Sequence, residues 1–519
     1  MRRLSTTFLL TAVIATPALA QARRPTAAAV QRAVQTITEA GYRSRISVLA
    51  DDSMRGRLTP SPELDKAAAY VASEFRRFGL RPGGDSGTFF QHYPIRVMQL
   101  DTAASAVTVA GPAAVRLRFG RDVTMTRGSL PETPVSGPVV LVWGTPADTA
   151  HPLGEVPVRG AVVVQVSTTP SMFGGATQRL VQAGRDAGAS AWIIVPAMGP
   201  AAFDGLARFA ARPNLEMGDG GARGMVTLLA RDSALAGVLA AAGTGLAQLR
   251  AEGASGVRAL DGVSVTINAH RSVVSEQWAP NVIGVLEGSD PALKNEYVFF
   301  TGHLDHIGTA GRPGAMCTAQ GADSICNGAD DDASGSTGVM ELAQAFAALS
   351  PRPRRSLVFM TVSGEERGLW GSSWYVSHPE VPLAGTVADL NMDMIGRNWR
   401  DTISVIGKEH SSLGAVANEV TREHPDLNMR LVDDLWPTEN FYRRSDHFNF
   451  ARKGVPILFF FNGTHPQYHR AGDEVALIDA EKAARIVRMV FYIGLDVANA
   501  TERPQWNPDS RRQIVEAGQ

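Results

Sequence analysis

Two apolar stretches, EYVFFTGH at 296–303 and SLVFMTVSGEE at 356–366, decide the fold of this chain. Each has the length and the unbroken hydrophobicity of a buried parallel strand, and each ends in histidine or carboxylate residues. Ligands of open α/β sheets bind just beyond the carboxyl ends of the strands. We therefore predict a cleft at these two strand ends, containing His303, Glu365 and Glu366.

Strand and helix patterns alternate on both sides of these stretches. This alternation predicts an α/β fold in which a central, mostly parallel twisted sheet is covered by helices on both faces. The predicted helices lie around 30–39, 64–79 and 335–349, and the further strands are NVIGVLEG at 281–288, VADLNMDM at 387–394 and VPILFFFNG at 455–463.

Residues 105–262 differ in character from the rest of the chain. They are rich in Ala, Gly and Val and contain three strand-like runs, at 139–144, 161–167 and 191–196, with a helix pattern near 178–187. They carry no cluster of histidines or carboxylates. We predict a small β-rich inserted domain without catalytic residues.

The two ends of the chain have their own patterns. The first twenty residues, MRRLSTTFLLTAVIATPALA, form a secretory signal with a basic head, a short apolar stretch and a small-residue cleavage site after Ala20. The mature protein is therefore expected in the periplasm or outside the cell, with no membrane insertion. The predicted order is a signal peptide at 1–20, catalytic parts at 21–104 and 263–500 around the insert, and a loosely held polar tail at 501–519.

Composition narrows the classes of function. A chain of 519 residues with 44% hydrophobic content is expected to form at least two domains. Lys and Arg total 50 against 51 acidic residues, which argues against a nucleic-acid partner. The two cysteines, Cys317 and Cys326, are nine positions apart, and export favours a disulfide between them over two free thiols.

The candidate chemistry comes from histidines and carboxylates at the predicted strand ends. Taken singly, each has an ordinary alternative: a solvated acidic turn at 330–332, a hydrogen-bonded core carboxylate at Asp393, or loop histidines at His465 and His469. Taken together they form a mixed nitrogen and oxygen donor set, which suits zinc and holds two ions if one carboxylate bridges.

Six short motifs occur in order along the chain. They are H-x-D at 303–305, G-A-D-D-D-A-S-G at 328–335, S-G-E-E-x-G at 363–368, N-M-D-M-I-G at 391–396, R-S-D-H at 444–447 and Y-H-x-x-x-D at 468–473. This set resembles the di-zinc exopeptidases, which include bacterial leucyl aminopeptidases, glutamate carboxypeptidase and, without activity, the transferrin receptor. The resemblance covers about 26–100 and 263–500, and 105–262 resembles the protease-associated domain inserted in many members.

The resemblance implies a cofactor of two zinc ions. One ion would be held by His303 and Asp393 and the other by Glu366 and His469, with Asp331 bridging both. In this family the peptide bond after the bridging aspartate is cis. We therefore expect a cis bond between Asp331 and the residue that follows it.

The same resemblance implies roles for the surrounding residues. Glu365 would be the general base, and Tyr468 could donate a hydrogen bond to the tetrahedral oxyanion. Asp305 and Asp473 would support the histidines of their motifs. Four further residues are expected beside the metal site or near the substrate pocket: Asp332, Ser445, Asp446 and His447.

These features predict an exported, zinc-dependent exopeptidase that acts on peptides, most simply an aminopeptidase. A carboxypeptidase or dipeptidase would use the same chemistry on the other end of the substrate. A metal-free, receptor-like binding protein is disfavoured by the intact ligand set, and a single-zinc glutaminyl cyclase by the plain Glu365 and Glu366 pair and the insert. The sequence leaves the oligomeric state open.

Overall fold

The structure, a computed structural model, describes residues 24–125, 133–144, 151–170, 175–218 and 225–516. The chain divides into a larger unit, Met1–His92 with Ala279–Gln519, and a smaller unit, Tyr93–Trp278. The predicted signal peptide lies outside the described residues. None of the helices in the described ranges has both the length and the hydrophobicity needed to cross a bilayer.

The smaller unit is wider than the insert predicted at 105–262. Its two boundaries fall within long, unbroken strands, Phe90–Ala110 and Gly256–Leu286, so the predicted insert begins too late and ends too early. The bounds of the insert were predicted from a change in composition. Composition does not change where a strand continues across a domain boundary, so the predicted bounds differ from those of the unit.

The larger unit is built on a sheet whose central strands are parallel, as predicted. Tyr297–His303 pairs in parallel with Ser356–Val362 on one side and with Thr386–Met392 on the other, and Thr386–Met392 pairs in parallel with Ile457–Phe461. Apart from the partly buried Tyr297, these central strands are buried along their whole length, as continuous apolar runs predict. Antiparallel pairs flank them, and the outer strands are Thr402–Ile406, Arg430–Val432, Arg81–Pro82 and the end of Gly256–Leu286.

Helices of the larger unit begin at polar capping residues. The Thr38 and Ser61 hydroxyls accept hydrogen bonds from the first turns of their helices, and Pro62 occupies a first-turn position that needs no N–H donor. The cap at Thr38 also explains why the single helix predicted around 30–39 is two helices. The helices are Ala27–Val34, Glu39–Leu49, Pro62–Arg77, Gly335–Ala347, Trp370–Ser377, Leu413–Glu423, His447–Arg452, Ala480–Asn499 and Pro508–Arg511.

The smaller unit also has a parallel central sheet. Val162–Val166 pairs in parallel with Val135–Trp143 and with Ala191–Val195, and all three are rich in Val and Ile. Apolar clusters cover both faces of this sheet. The helix predicted near 178–187 is present as Gly175–Asp186. Three further helices, Pro200–Ala210, Asp232–Ala241 and Leu246–Leu249, were not predicted. The further strands of this unit are Val115–Arg118, Val123–Met125, Asn214–Met217 and Val226–Ala230.

The C-terminal segment differs from the loose tail predicted at 501–519. Ile514 and Val515 are buried, and the Trp506 indole donates a hydrogen bond to the Gly454 carbonyl at 2.8 Å. The prediction was wrong because three apolar side chains in an otherwise polar segment are enough to hold it against the larger unit.

Candidate active site

Two groups of metal-ligand atoms meet at the carboxyl ends of the parallel strands. The first contains His303, the last residue of its strand, and Asp393, which directly follows Thr386–Met392. His303 Nε2 lies 3.7 Å from Asp393 Oδ1 and 3.1 Å from Asp331 Oδ1. All three side chains are buried.

The second group lies on the other side of the Asp331 carboxylate. His469 Nε2 is 3.2 Å from Asp331 Oδ2 and 3.2 Å from Glu366 Oε2. The two oxygens of Asp331 therefore face two different groups of donors. This is the arrangement that a bridging carboxylate requires.

Both groups suit zinc. Nitrogen and oxygen donors bind tetrahedral zinc at about 2.0–2.1 Å, which places them roughly 3.3 Å from each other. The separations of 3.1 and 3.7 Å in the first group and 3.2 Å in the second lie close to that spacing. The buried carboxylates also need a cation or donors, because an unpaired buried charge is costly.

Histidines beside the Asp331 and Glu366 carboxylates lower the pKa values of both. Burial raises the pKa of Asp331, but His306, His303 and His469 outweigh burial and hold that pKa well below its usual value. Burial and Asp331 likewise raise the pKa of Glu366, yet the neighbouring histidines lower it to about 2. Both carboxylates are thus kept ionised, as ligands must be.

A tight turn, Ala329–Ser334, presents Asp331. The peptide bond between Asp331 and Asp332 is cis, as predicted. Asp332 faces away from the two donor groups, and its carboxylate accepts the backbone N–H groups of His303, Gly335 and Met394 at 2.9, 2.7 and 3.2 Å. It therefore ties together the segments that carry the first group of ligands.

Glu365 and Glu366 lie in a turn after the strand rather than on it. The strand ends at Val362, and the backbone N–H of Glu365 donates to Asp305 Oδ1 at 3.2 Å. The prediction that the strand extends as far as the two glutamates was therefore wrong. Glu365 lines the cleft, and burial, with Glu366 and Asp446 nearby, raises its pKa well above the usual value.

Asp305 supports His303 mainly through its backbone. Its carbonyl oxygen lies 3.1 Å from His303 Nδ1, and its carboxylate is farther away, at 3.8 Å. The carboxylate instead accepts hydrogen bonds from Thr59 and from the Glu365 backbone. Asp305 thus connects the first ligand to the loop of the predicted base.

The resemblance implied that Asp473 supports His469, but the structure places its carboxylate elsewhere. Its carboxylate accepts the backbone N–H groups of Asp330 and Asp331, and His465 Nε2 lies 3.9 Å away. The prediction failed because three residues separate His469 from Asp473, and over this length the loop turns Asp473 toward the segment that carries Asp331.

Three residues of the R-S-D-H motif, Ser445, Asp446 and His447, do not line the cleft, whereas Arg444 does. The Ser445 hydroxyl donates to Asp393 Oδ2 at 2.8 Å and so orients a predicted ligand. Asp446 accepts from the Ser372 hydroxyl, and burial raises its pKa to about 7. His447 is fully buried, which lowers its pKa to about 3, and its Nε2 lies 2.9 Å from the Tyr442 carbonyl.

An apolar wall faces the donor groups across the cleft. Phe441, Phe459 and Phe461 line the same cavity as the ligands, with Arg444 and Tyr468 at its edge. The Tyr468 ring stacks on His469 with ring centroids 4.0 Å apart. A substrate bound at the metal ligands would therefore meet aromatic side chains and one cation.

Sequence reasoning missed two buried residues at the site. Arg57 donates hydrogen bonds to the carbonyls of Leu304, Leu49, Asn327 and Gly328, and thereby joins the first motif to the start of the second. No local pattern indicates this role for an isolated arginine.

The other missed residue, His306, is fully buried, and its Nδ1 lies 2.7 Å from Glu366 Oε1. Its position within TGHLDHIG was the available signal.

The two cysteines are joined, as favoured from the sequence. Cys317 and Cys326 form a disulfide, with their Cα atoms 5.8 Å apart. Both pack with Ile307 and Ala471 in a small apolar cluster. The bridge therefore closes the loop between the first ligand, His303, and the turn that carries Asp331.

Comparisons with known proteins agree with these motifs. The sequence model of "Peptidase family M28" matches residues 281–494. A probable zinc metalloprotease of Pyricularia oryzae is 27% identical over 42% of this chain and 50% of its own length. Aminopeptidase YwaD of Bacillus subtilis is 22% identical over 48% of this chain and 52% of its own length. The chain spans about half the length of the curated relatives it matches.

Solved structures cover more of the chain. An aminopeptidase from Aneurinibacillus sp. strain AM-1 is 19% identical, with a TM-score of 0.49, over 91% of this chain and 97% of its own. The zinc aminopeptidase BSAP from Bacillus subtilis is 17% identical, with a TM-score of 0.46, over 90% of this chain and 97% of its own. Residues 281–494 match the model of peptidase family M28, the family of di-zinc exopeptidases that the motifs of this chain resemble.

Proposed function

We propose that this protein is an exported di-zinc aminopeptidase. The observation that carries the proposal is the Asp331 carboxylate, whose two oxygens lie 3.1 Å from His303 Nε2 and 3.2 Å from His469 Nε2. His303 and Asp393 would hold one ion, Glu366 and His469 the other, and Asp331 would bridge them. Bound zinc supplies Lewis-acid polarisation of a carbonyl and acidification of a water molecule.

The chain's own residues supply the proton transfer. Glu365 lines the cleft beside both donor groups without belonging to either, which suits a general base that accepts the proton of the attacking water. Its raised pKa fits a group that must later return the proton to the leaving amine. Tyr468, which stacks on His469, would donate to the developing oxyanion.

The choice of substrate end rests on the charges around the cleft. Asp330, Asp332 and Asp446, acidic residues to which the resemblance gives no ligand or base role, are fully buried and therefore not open to a substrate ammonium. The carboxylates that do line the cleft are Glu365, Asp331 and Asp393. Together with the aminopeptidase named among the relatives, they favour recognition of the amino end.

A carboxypeptidase or dipeptidase is the second candidate. Arg444 lines the cleft, where its guanidinium lies over the Phe441 ring, 4.5 Å from the ring centroid. An arginine held in this way could form bidentate contacts with a substrate carboxylate. The position of Arg444 in the cleft is the specific observation that supports the second candidate.

Export and the identity of the smaller unit belong to the same proposal. The sequence of residues 1–20 has the form of a secretory signal, and a disulfide between Cys317 and Cys326 is typical of proteins in oxidising compartments. We assign the smaller unit as a protease-associated domain. Both candidate metal groups found among the described residues lie in the larger unit, which leaves the smaller one without an assigned chemical role.

Metal analysis combined with a reporter panel tests the proposal. Purified mature protein should contain about two zinc ions per chain, lose hydrolysis of aminoacyl reporters after treatment with a chelator, and regain it with zinc. Asp331→Ala should lose both ions together, because its carboxylate faces both groups. Full hydrolysis by metal-free protein would overturn the proposal, and loss of a single ion in the variant would move the bridge to another residue.

A further inference from the structure

His306 is a buried imidazole that the ligand set above does not use. It follows His303 by three positions and is 0% exposed. Its Nδ1 lies 2.7 Å from Glu366 Oε1 and 3.8 Å from Asp331 Oδ2. The ring therefore reaches the same two carboxylates that face His469.

Apart from their contact with each other, the polar atoms here have no further partners among the described residues. Neither ring nitrogen of His306 has another hydrogen-bond partner in the part of the chain that the structure describes, and neither does Glu366 Oε1. Buried polar atoms without partners are rare and usually indicate a bound ion or water. Here a nitrogen and an oxygen, each able to bind zinc, lie side by side beside a third ligand atom, Asp331 Oδ2.

The backbone around His306 is built to hold the ring in this place. The His306 N–H donates to the Arg57 carbonyl at 3.3 Å. Gly328, in a left-handed conformation with φ of 58°, passes so close that a Cβ on it would lie 2.5 Å from the imidazole carbons. A larger residue at this position would displace the ring from the carboxylates.

We propose that His306 Nδ1 is a further ligand of the cation shared by Glu366, His469 and Asp331. That site then has four protein ligands, whereas the site of His303, Asp393 and Asp331 has three. Zinc sites with four protein ligands are typically closed and structural, and sites with three keep a position for water. The inference rests on the proposed di-zinc function and adds that its two sites are unequal.

The two histidines proposed for this ion also differ in their exposure to solvent. The His469 side chain is 40% exposed, whereas that of His306 is 0% exposed. If both bind the same ion, removal of His469 still leaves His306, Asp331 and Glu366 around it. His469→Ala should therefore retain part of its affinity for that ion, and the double variant with His306→Ala should not.

X-ray absorption on the zinc-loaded, unmodified protein tests the assignment directly. With two ions bound, we expect three histidines per pair of ions, and two in His306→Ala. A value of two histidines in the unmodified protein would overturn the inference, and this readout does not depend on the folding of any variant. Binding of fewer than two ions would instead contradict the proposed di-zinc function.

Chelator competition gives a second readout that needs no activity measurement. His306→Ala should raise the dissociation constant of one of the two ions by about 10²-fold or more and leave that of the other nearly unchanged. Residues that only orient a ligand typically change metal affinity by about 10- to 100-fold. His424→Ala, which removes a histidine stacked on Tyr492 in the same unit, is the matched control and should change neither. Equal affinities in His306→Ala and the control would contradict the inference.

Discussion

Asp473 Oδ2 accepts a hydrogen bond from the backbone N–H of Asp331 at 3.1 Å. The same carboxylate accepts the N–H of Asp330, and the Asp473 side chain is 0% exposed. The residue proposed to bridge two ions is therefore held by a loop more than a hundred positions away in the chain. This contact fixes the direction of the Asp331 carboxylate without touching either donor group.

Asp473→Ala should weaken both metal sites, although Asp473 is not a proposed ligand of either. Two backbone N–H groups would lose their acceptor, and the turn that presents Asp331 would lose its fixed position. We expect both dissociation constants for zinc to rise by about 10- to 100-fold, the usual effect of removing a residue that orients a ligand. Competition with a chromogenic chelator measures both. Asp426→Ala, an exposed change in the same unit, is the control, and an effect confined to one ion would contradict the account.

Glu365→Gln should separate catalysis from metal binding. The amide keeps the size of the side chain but cannot accept the proton of the attacking water. We expect kcat to fall by roughly 10² to 10⁴, the usual contribution of a positioned general base, with the metal content unchanged. Steady-state kinetics alongside metal analysis decide the matter. If the variant loses an ion instead, Glu365 is a ligand and not the base.

Arg57→Lys should destabilise the larger unit despite keeping the positive charge. A lysine ammonium cannot reproduce the planar fork that donates to four backbone carbonyls at 2.6–2.9 Å. Each buried carbonyl left without a donor costs about 1–3 kcal/mol of unfolding free energy.

Urea unfolding of the metal-loaded protein measures this loss. Arg43→Lys, at an exposed ion pair with Glu39, provides the comparison and should change stability by less than about 0.5 kcal/mol. Equal stability of the two variants would show that the four contacts of Arg57 contribute little.

Asp389→Asn should change how stability depends on pH. Burial raises the pKa of Asp389 to about 8, with the Asp446 charge adding to the effect and a hydrogen bond from Thr301 opposing it. In the unfolded chain the pKa of an aspartate is about 3.9. Between these two pKa values the folded protein keeps a proton that the unfolded chain has lost. The free energy of unfolding therefore declines as the pH rises from about 4 to about 8.

The asparagine variant has no such proton to lose. The difference in unfolding free energy, variant minus unmodified protein, should increase from about pH 4 to pH 8 by at most about 1.4 kcal/mol per pH unit. Above about pH 8 this difference should stay constant. Urea titrations at several pH values provide the measurement, with the exposed Asp426→Asn as the control. A difference that does not change with pH would contradict a raised pKa at Asp389.

The sequence predicted local features well and long-range partners poorly. Strand ends at His303 and Asp393 could be predicted because an apolar run stops at a polar residue, and that signal is contained within a few positions. The partner of Asp473 could not, since the carboxylate turns toward a segment that is remote in sequence. For the same reason Asp446 and His447 were expected near the pocket, although burial places them behind it.

Segments with mixed composition were the other source of error. Trp506, which is partly buried, and the buried Ile514 and Val515 are spaced too irregularly to produce a helix or strand pattern, so their packing could not be predicted. Glu365 and Glu366 were assigned to a strand because the apolar run before them gives no indication of where pairing stops. In the structure it stops at Val362, before Ser363 and Gly364 form the turn.

The central claim, a metal-dependent aminopeptidase, is tested most directly by one pair of substrates. Leucyl reporters with a free amino terminus should be hydrolysed by the zinc-loaded protein, because a substrate ammonium meets the carboxylates that line the cleft. Acetylation of that amino group should abolish hydrolysis, and amidation of the carboxyl end of a peptide should have little effect. Hydrolysis that survives acetylation and is lost on amidation would contradict the claim and assign Arg444 as the residue that binds the substrate carboxylate.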